Sequence, residues 1–152
     1  MSFSPAKYFS GLSKKRKTLR KKEIAKFGSM SWSNPAAYVG FASDKGIKTK
    51  KSQYTASWIK QFPDAKSLKD KSKATGVPLK YITESYNRGL AAWRTGHRPG
   101  ATQEQWGYAR VHSFLMCGKT YYSTDSDIAE RASSASSSAK KWFSKCSKKS
   151  PF

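Results

Sequence analysis

Large apolar side chains gather in one stretch of this chain, from Gly76 to Gly118, and there they follow a helical period. Leu79, Ile82, Tyr86, Leu90 and Trp93 recur at steps of three and four, which predicts a helix with one apolar stripe. Pro78 suits its first position, where a missing N–H costs nothing. Thr95-Gly96 ends it, and His97-Arg98-Pro99-Gly100 turns the chain. Thr102 and Gln105 have the spacing of a capping box that opens a second helix. Trp106, Tyr108, Ala109, Val111, Phe114, Leu115 and Cys117 surround most of that helix, so it is expected to be buried.

Around this pair the pattern changes. Ala37 to Phe41 reads as a short strand, Ser43-Asp44-Lys45-Gly46 as a turn, and Ile47 to Lys51 as the returning strand. A lone hairpin is marginal, so this one must lean on the helices. Tyr54, Trp58, Ile59 and Phe62 predict a short amphipathic helix ending at Pro63, with its aromatic residues in the core. Residues 63–76 read as a lysine-faced helix anchored by Leu68 and closed by Gly76. Lys119 to Asp127 is a polar connection holding Tyr121 and Tyr122. By composition the rest is a Ser/Lys tail. By spacing, Ile128, Ala132, Ala135, Ala139, Trp142 and Cys146 alternate steps of four and three, a small-residue stripe that permits close helix approach. Disorder and a helix lying on a partner both fit.

The expected architecture is mainly α, of the α+β kind. A small helical core domain with a short β-hairpin spans residues 29–118, between an extended basic N-terminal arm (1–28) and a C-terminal linker and arm (119–152).

Charge sharpens this picture. Thirty Lys and Arg stand against nine Asp and Glu, a net +21. Such an imbalance opposes compaction until something anionic neutralises it. Aromatic residues make up 14%, too many for a purely disordered basic tail. No apolar run approaches the roughly 20 residues of a membrane span, and no apolar segment near the N-terminus reads as a secretory signal. The two cysteines, Cys117 and Cys146, lack zinc spacing and are expected to be reduced. No metal, cofactor or small-molecule substrate is implied. His97 and His112 could pair with Glu84 or Glu104 as acid and base, but nothing in the spacing fixes such a pair. No nucleophile or phosphate-loop motif accompanies them, so the chain is expected not to be an enzyme.

Three residue sets remain as candidates. Lys14, Lys15, Arg16, Lys17, Arg20, Lys21 and Lys22 form a cationic run suited to phosphates or another anionic partner. Leu12, Leu19, Ile24 and Phe27 would let that arm lie as a helix on the partner. A solvated or targeting tail would look the same. Arg94, Arg98 and Arg110 flank or face the central loop as a candidate anion clamp, since arginine makes fixed bidentate contacts. Bonds to loop carbonyls within the domain are the competing explanation. Trp142 and Phe143 are candidate partner-interface anchors in the C-terminal arm.

The motif RGLAAWRTGHRPGATQEQWGYARVHSF, Arg88 to Phe114, resembles a small uncharacterised domain of large double-stranded DNA virus proteins, giant and algal viruses among them, and of phage proteins. SDKGIKTKKSQYTASWIKQF, Ser43 to Phe62, is similar to its upstream part. The resemblance spans roughly residues 36–118 and excludes both arms. It implies a viral source and carries over no catalytic residue. The expectation is therefore a non-enzymatic structural virion protein. It would be a minor capsid (cement) component bridging capsomers on the inner shell, found in the virion and, during assembly, in the host cell. Its partners would be the major capsid protein and other minor capsid proteins, with genomic DNA as a further candidate. The alternative is a sequence-independent nucleic-acid-binding protein packaged with the genome.

Overall fold

Helices begin where the sequence places side-chain acceptors. The computed structural model describes residues 6–146. Ser13 accepts from the Arg16 N–H and starts α1, Lys14–Gly28. Ser52 caps α2, Gln53–Gln61, and Ser67 with Asp70 forms a capping box on α3, Leu68–Thr75. Gly76, at φ 81°, closes α3 in the left-handed conformation that glycine adopts without strain. α4, Leu79–Ala92, follows Pro78 and tightens into a 3-10 turn at Trp93–Thr95. The Thr102–Gln105 box closes in both directions, at 2.9 and 3.1 Å, and opens α5, Gln103–Leu115. α6, Lys119–Tyr122, α7, Ser126–Ala135, and α8, Ser137–Phe143, complete the chain.

The protein is mainly helical. Two compact units share it: one takes the residues up to Lys50 with Leu90–Trp106, the other Lys51–Gly89 with the chain from Gly107 onward. This partition does not follow boundaries at 28/29 and 118/119. Residues 1–5 and 147–152 of the expected arms lie outside the described residues.

In the first unit, Ile24 and Phe27 of α1 bury against Phe41 and Trp93, with Tyr8, Phe9, Met30, Tyr38 and Trp106 packed around them. The N-terminal segment from Lys14 to Gly28 is thus a packed core helix, in place of the extended arm. Its apolar residues Ile24 and Phe27 are covered by their own unit. Among the described residues there is no strand, so the expected hairpin is absent. Pro35–Tyr38 is a 3-10 turn capped by Asn34, and Ala42–Asp44 is another. The alternation at Ala37–Phe41 reflects two inward residues, Ala37 and Phe41, with Val39 outward. Pro35 at the front fixes a tight turn in place of an extended strand.

The second unit closes over a larger core built from Trp58, Val77, Ile82, Val111, Phe114, Leu115, Ile128, Ala132, Ala139 and Phe143. Gly89 on α4 and Gly107 on α5 let these helices meet at the backbone: a Cβ on Gly89 would lie 2.8 Å from the Gly107 Cα. The C-terminal stripe folds back on itself. Ser136 takes an extended conformation (φ −141°, ψ 123°), ends α7 and caps α8 through the Ala139 N–H. Ile128, Ala132, Ala139 and Cys146 are buried between the two helices and the core, while Ala135 is left exposed. No described helix is long and apolar enough to cross a membrane.

The cysteines are bridged, contrary to the expectation of free thiols. Cys117, just past α5, and Cys146, just past α8, form a disulfide with Cα atoms 5.3 Å apart. Spacing alone conceals this, because packing of α8 against the end of α5 brings together residues separated by 29 in sequence. Closing a loop of that length stabilises a fold by about 3–4 kcal/mol in the chain-entropy description. Cys117→Ser, or excess reductant, should therefore lower the midpoint of thermal unfolding by about 10 °C. Melting followed by circular dichroism with and without reductant checks this, and an unchanged midpoint would contradict it.

Candidate functional site

The basic run at the N-terminus becomes two faces of α1. Turned inward are Arg20, Glu23, Ile24 and Phe27, with Arg16 half-buried. Turned outward are Lys14, Lys15, Lys17, Lys21, Lys22 and Lys26, all exposed. At 100° per residue these lysines cover about half of the helix circumference over a length of ~18 Å. The one acid of the helix, Glu23, is spent inside, accepting the Ala42 and Ser43 N–H groups at 2.6 and 3.1 Å. The face therefore carries a single sign of charge. Lys17 with Lys21 and Lys22 with Lys26 repel at i,i+4, and Lys14 and Lys15 sit where the helix dipole disfavours cations.

Two of the seven predicted contact residues are used internally. Arg16 donates to the Lys45 carbonyl at 2.7 Å. Arg20, with none of its surface exposed, donates to Ser43 Oγ at 2.9 Å, to Asp44 Oδ1 at 2.7 Å and to the His97 carbonyl. Asp44 is the centre of this group. It also accepts from the Gly100 N–H at 2.8 Å and faces His97 Nε2 at 2.6 Å. His97 Nδ1 lies 2.8 Å from the Trp93 carbonyl, and its ring stacks on Trp93 at 4.2 Å. Both ring nitrogens therefore have an oxygen within hydrogen-bond distance. Burial works to raise the Asp44 carboxyl, but bonds from His97 and Gly100 and the charges of His97 and Arg20 outweigh it and hold the group below its ordinary range. Gly100, at φ 83°, cannot be replaced here: a Cβ would lie 2.3 Å from the Ile47 carbonyl oxygen. Both nitrogens of the fully buried His97 ring are thus engaged within the first unit.

The three arginines of the predicted clamp are divided between the units. Arg94 donates to the carbonyls of Met30 and Ala91 within the first unit, at 3.2 and 2.9 Å. Arg98 is exposed on the turn. Arg110 belongs to the second unit and grips the buried Asp125 through Nε and Nη2 at 3.1 and 2.7 Å. Asp125 also accepts from Ser85 at 2.8 Å. Near it, Arg88 and Arg131 share Glu84 and Asp127 in a lattice of ion pairs, and bonds from Arg88 hold Asp127 well below the usual carboxylate range. Trp142 and Phe143 also face inward. Phe143 packs on Phe114 and Tyr121, and Trp142 Nε1 donates to the Leu115 carbonyl at 2.9 Å while Lys145 covers its ring. They anchor α8 to its own core, Phe143 buried and Trp142 partly exposed.

The acids, above all Asp44 and Asp125, carry no motif that marks them as centres of these groups. Their signal was rarity: with thirty cations and nine acids, each acid has a choice of partners. A buried lysine is equally unmarked in the sequence. Lys71 donates to the Ala65 and Lys66 carbonyls at 2.9 and 2.8 Å, with Trp58 and Tyr108 over its ammonium group, and burial lowers it to about 8. His112 lies in the same unit, 2.8 Å from Thr55 Oγ1, its ring stacked near Trp58. Its Nε2 has no protein partner and no access to solvent. Burial, then the charge of Lys71, lowers His112 to about 3.

Residues 5–131 match a family model described as a family of unknown function (DUF5824). The chain belongs to this family. No curated protein and no solved structure matches it. The matched region begins ahead of α1 and ends within α7, so the lysine helix, the Asp44 group and the Asp125 group all lie inside the family domain.

His112 gives these clusters a measurable signature. It is neutral in the folded protein down to about pH 3 and takes a proton near 6.5 once unfolded. The unfolded state therefore binds the extra proton between these values, and stability falls as pH drops from 6.5. His112→Gln should flatten the loss between pH 6.5 and 5, a window above most carboxylate titration. Urea midpoints at the two pH values check it, and equal slopes for wild type and variant would contradict it.

Proposed function

We propose that this protein is a non-enzymatic, sequence-independent nucleic-acid-binding protein, packaged with the genome of a large double-stranded DNA virus and located in the virion. One observation carries the proposal: the uniform lysine face of α1, backed by a buried, ion-paired seam. Arginine, the residue suited to bidentate reading of base edges, is largely committed inside the protein. Arg20, Arg88, Arg94 and Arg110 all bond to partners in their own units. What remains outward is lysine, a mobile point charge that contacts phosphate without reading sequence. Mutual repulsion along the face is relieved when phosphates replace the condensed counterions.

A capsid role is the second reading. As a minor capsid (cement) protein the chain would bridge capsomers on the inner shell, contacting the major capsid protein and other minor capsid proteins. Exposed Val39, Ile59 and Leu79 favour it, since a protein neighbour would cover them. Bridging by the C-terminal arm is the weaker version of this reading, because Trp142 and Phe143 serve their own core.

Fluorescence anisotropy with a duplex DNA fragment across a salt series tests the first reading. Each phosphate neutralised contributes about 0.9 to the slope of log K against log salt. Replacing Lys14, Lys15, Lys17, Lys21 and Lys22 together with Gln should weaken binding to all sequences alike and reduce that slope by about 4. An unchanged slope would overturn the assignment to α1. No binding at about 0.1 M salt would favour the capsid reading.

A further inference from the structure

The lysine face explains how a backbone could be held, but nothing on it meets a base. One side chain in the same unit is placed to do so. Trp32 is 68% exposed, on the loop between α1 and the 3-10 turn at Pro35–Tyr38. Burying an indole is worth several times more than burying a small aliphatic side chain, so a tryptophan left in solvent forgoes a large contribution to folding.

The exposure is built in. Tyr38, packed against the first unit's core, donates its hydroxyl to the Trp32 carbonyl. The Asn34 N–H donates to the Ser31 carbonyl at 3.0 Å, and the Asn34 side chain caps the following turn. Ser31 and Ser33 bond to each other at 2.9 Å on either side of the tryptophan. The backbone is thus fixed to the core while the ring is held out. Its sequence neighbours Ser31, Ser33 and Asn34 are all polar and exposed. A dry protein interface is built around a contiguous apolar patch. The ring's immediate neighbours are hydroxyls and an amide, with exposed Pro35, Ala36 and Val39 farther along the chain, a mixed setting that suits a flat, hydrated aromatic partner.

Position supplies the rest. Lys26, on the last turn of the lysine face, is six residues before Trp32. Six residues span at most ~21 Å, about six nucleotides at the ~3.4 Å strand spacing of B-form DNA. On that bound the ring lies no farther than ~21 Å from the end of the lysine face, a span that a strand lying on the lysines can extend across.

We propose that Trp32 stacks on an unpaired base, so that the protein prefers single-stranded nucleic acid over duplex. In a duplex the base faces are already stacked on one another and present only their edges. In a single strand every base offers a π-face, and stacking on an aromatic side chain tolerates any sequence. The proposal rests on the nucleic-acid reading above and adds the strand form.

The test uses the full chain and two labelled probes, a single-stranded oligothymidine and a hairpin duplex of equal length, titrated by anisotropy. Wild type should bind the single strand more tightly. Trp32→Ala should weaken single-strand binding by about tenfold, within the range measured for loss of one stacked base. It should leave duplex affinity and both salt slopes unchanged, and Trp32→Phe should recover most of the loss. The exposed ring and the main-chain bonds of the loop make these variants safe for folding, which circular dichroism verifies. Equal effects of Trp32→Ala on both probes, or none on either, would overturn the proposal while duplex binding keeps the broader reading intact. Absence of binding to both probes would overturn both.

Discussion

The Asp44 carboxylate is the point on which the first unit depends. It sits at the meeting of three segments: α1 through Arg20, the turn before α4's partner helix through His97 and Gly100, and its own 3-10 turn. An arginine, an imidazole and a backbone N–H converge on one acid, and the acid is mostly removed from water. Pairs of this kind add little over a well-packed apolar alternative, but losing one partner leaves buried charge uncompensated, at about 3–5 kcal/mol. The group therefore acts less as a source of stability than as a registry device. It fixes which face of α1 turns inward.

That registry links the core to the surface. Once Arg20 and Glu23 face inward, helical geometry alone sends Lys14, Lys17, Lys21 and Lys22 outward. The second unit treats its charges similarly. Asp125 is buried against Arg110, while Glu84 and Asp127 are shared by Arg88 and Arg131. Acids and arginines neutralise one another inside each unit, and the excess appears outside as lysine. A net +21 is thereby carried with most of its lysines outside, buried Lys71 being held instead by the Ala65 and Lys66 carbonyls.

Local signals were legible in the sequence. The Thr102–Gln105 box, the Pro78 start, the Gly76 stop and the α2 pattern ending before Pro63 are each decided by a few neighbouring residues, and each is found in the structure. Long-range pairings were not. The α1 segment carries so many lysines that its apolar residues looked like a surface for some other molecule, when Phe41 and Trp93 of the same chain receive them. The hairpin was inferred from alternation over five residues, too few to separate a strand from two inward positions, one on a 3-10 turn and one capping the next. Cys117 and Cys146 gave no hint of bridging because their approach depends on how α8 docks. The packing of Trp142 on its own chain was hidden for the same reason: a sequence shows that a tryptophan must be covered, and not by what. For the candidate site, the lysines were visible as a run, but their sorting into an outer face and an inner seam required Asp44.

Everything proposed about function follows from α1 being folded before any partner arrives. Hydrogen exchange of the free protein at low salt tests this most directly. Amides from Arg20 to Phe27 should be protected by several orders of magnitude, to nearly the level of the Phe114–Leu115 region in the second core. Exchange of these amides at the rate of an unstructured peptide would contradict the account, returning the segment to a basic arm that orders only on its partner.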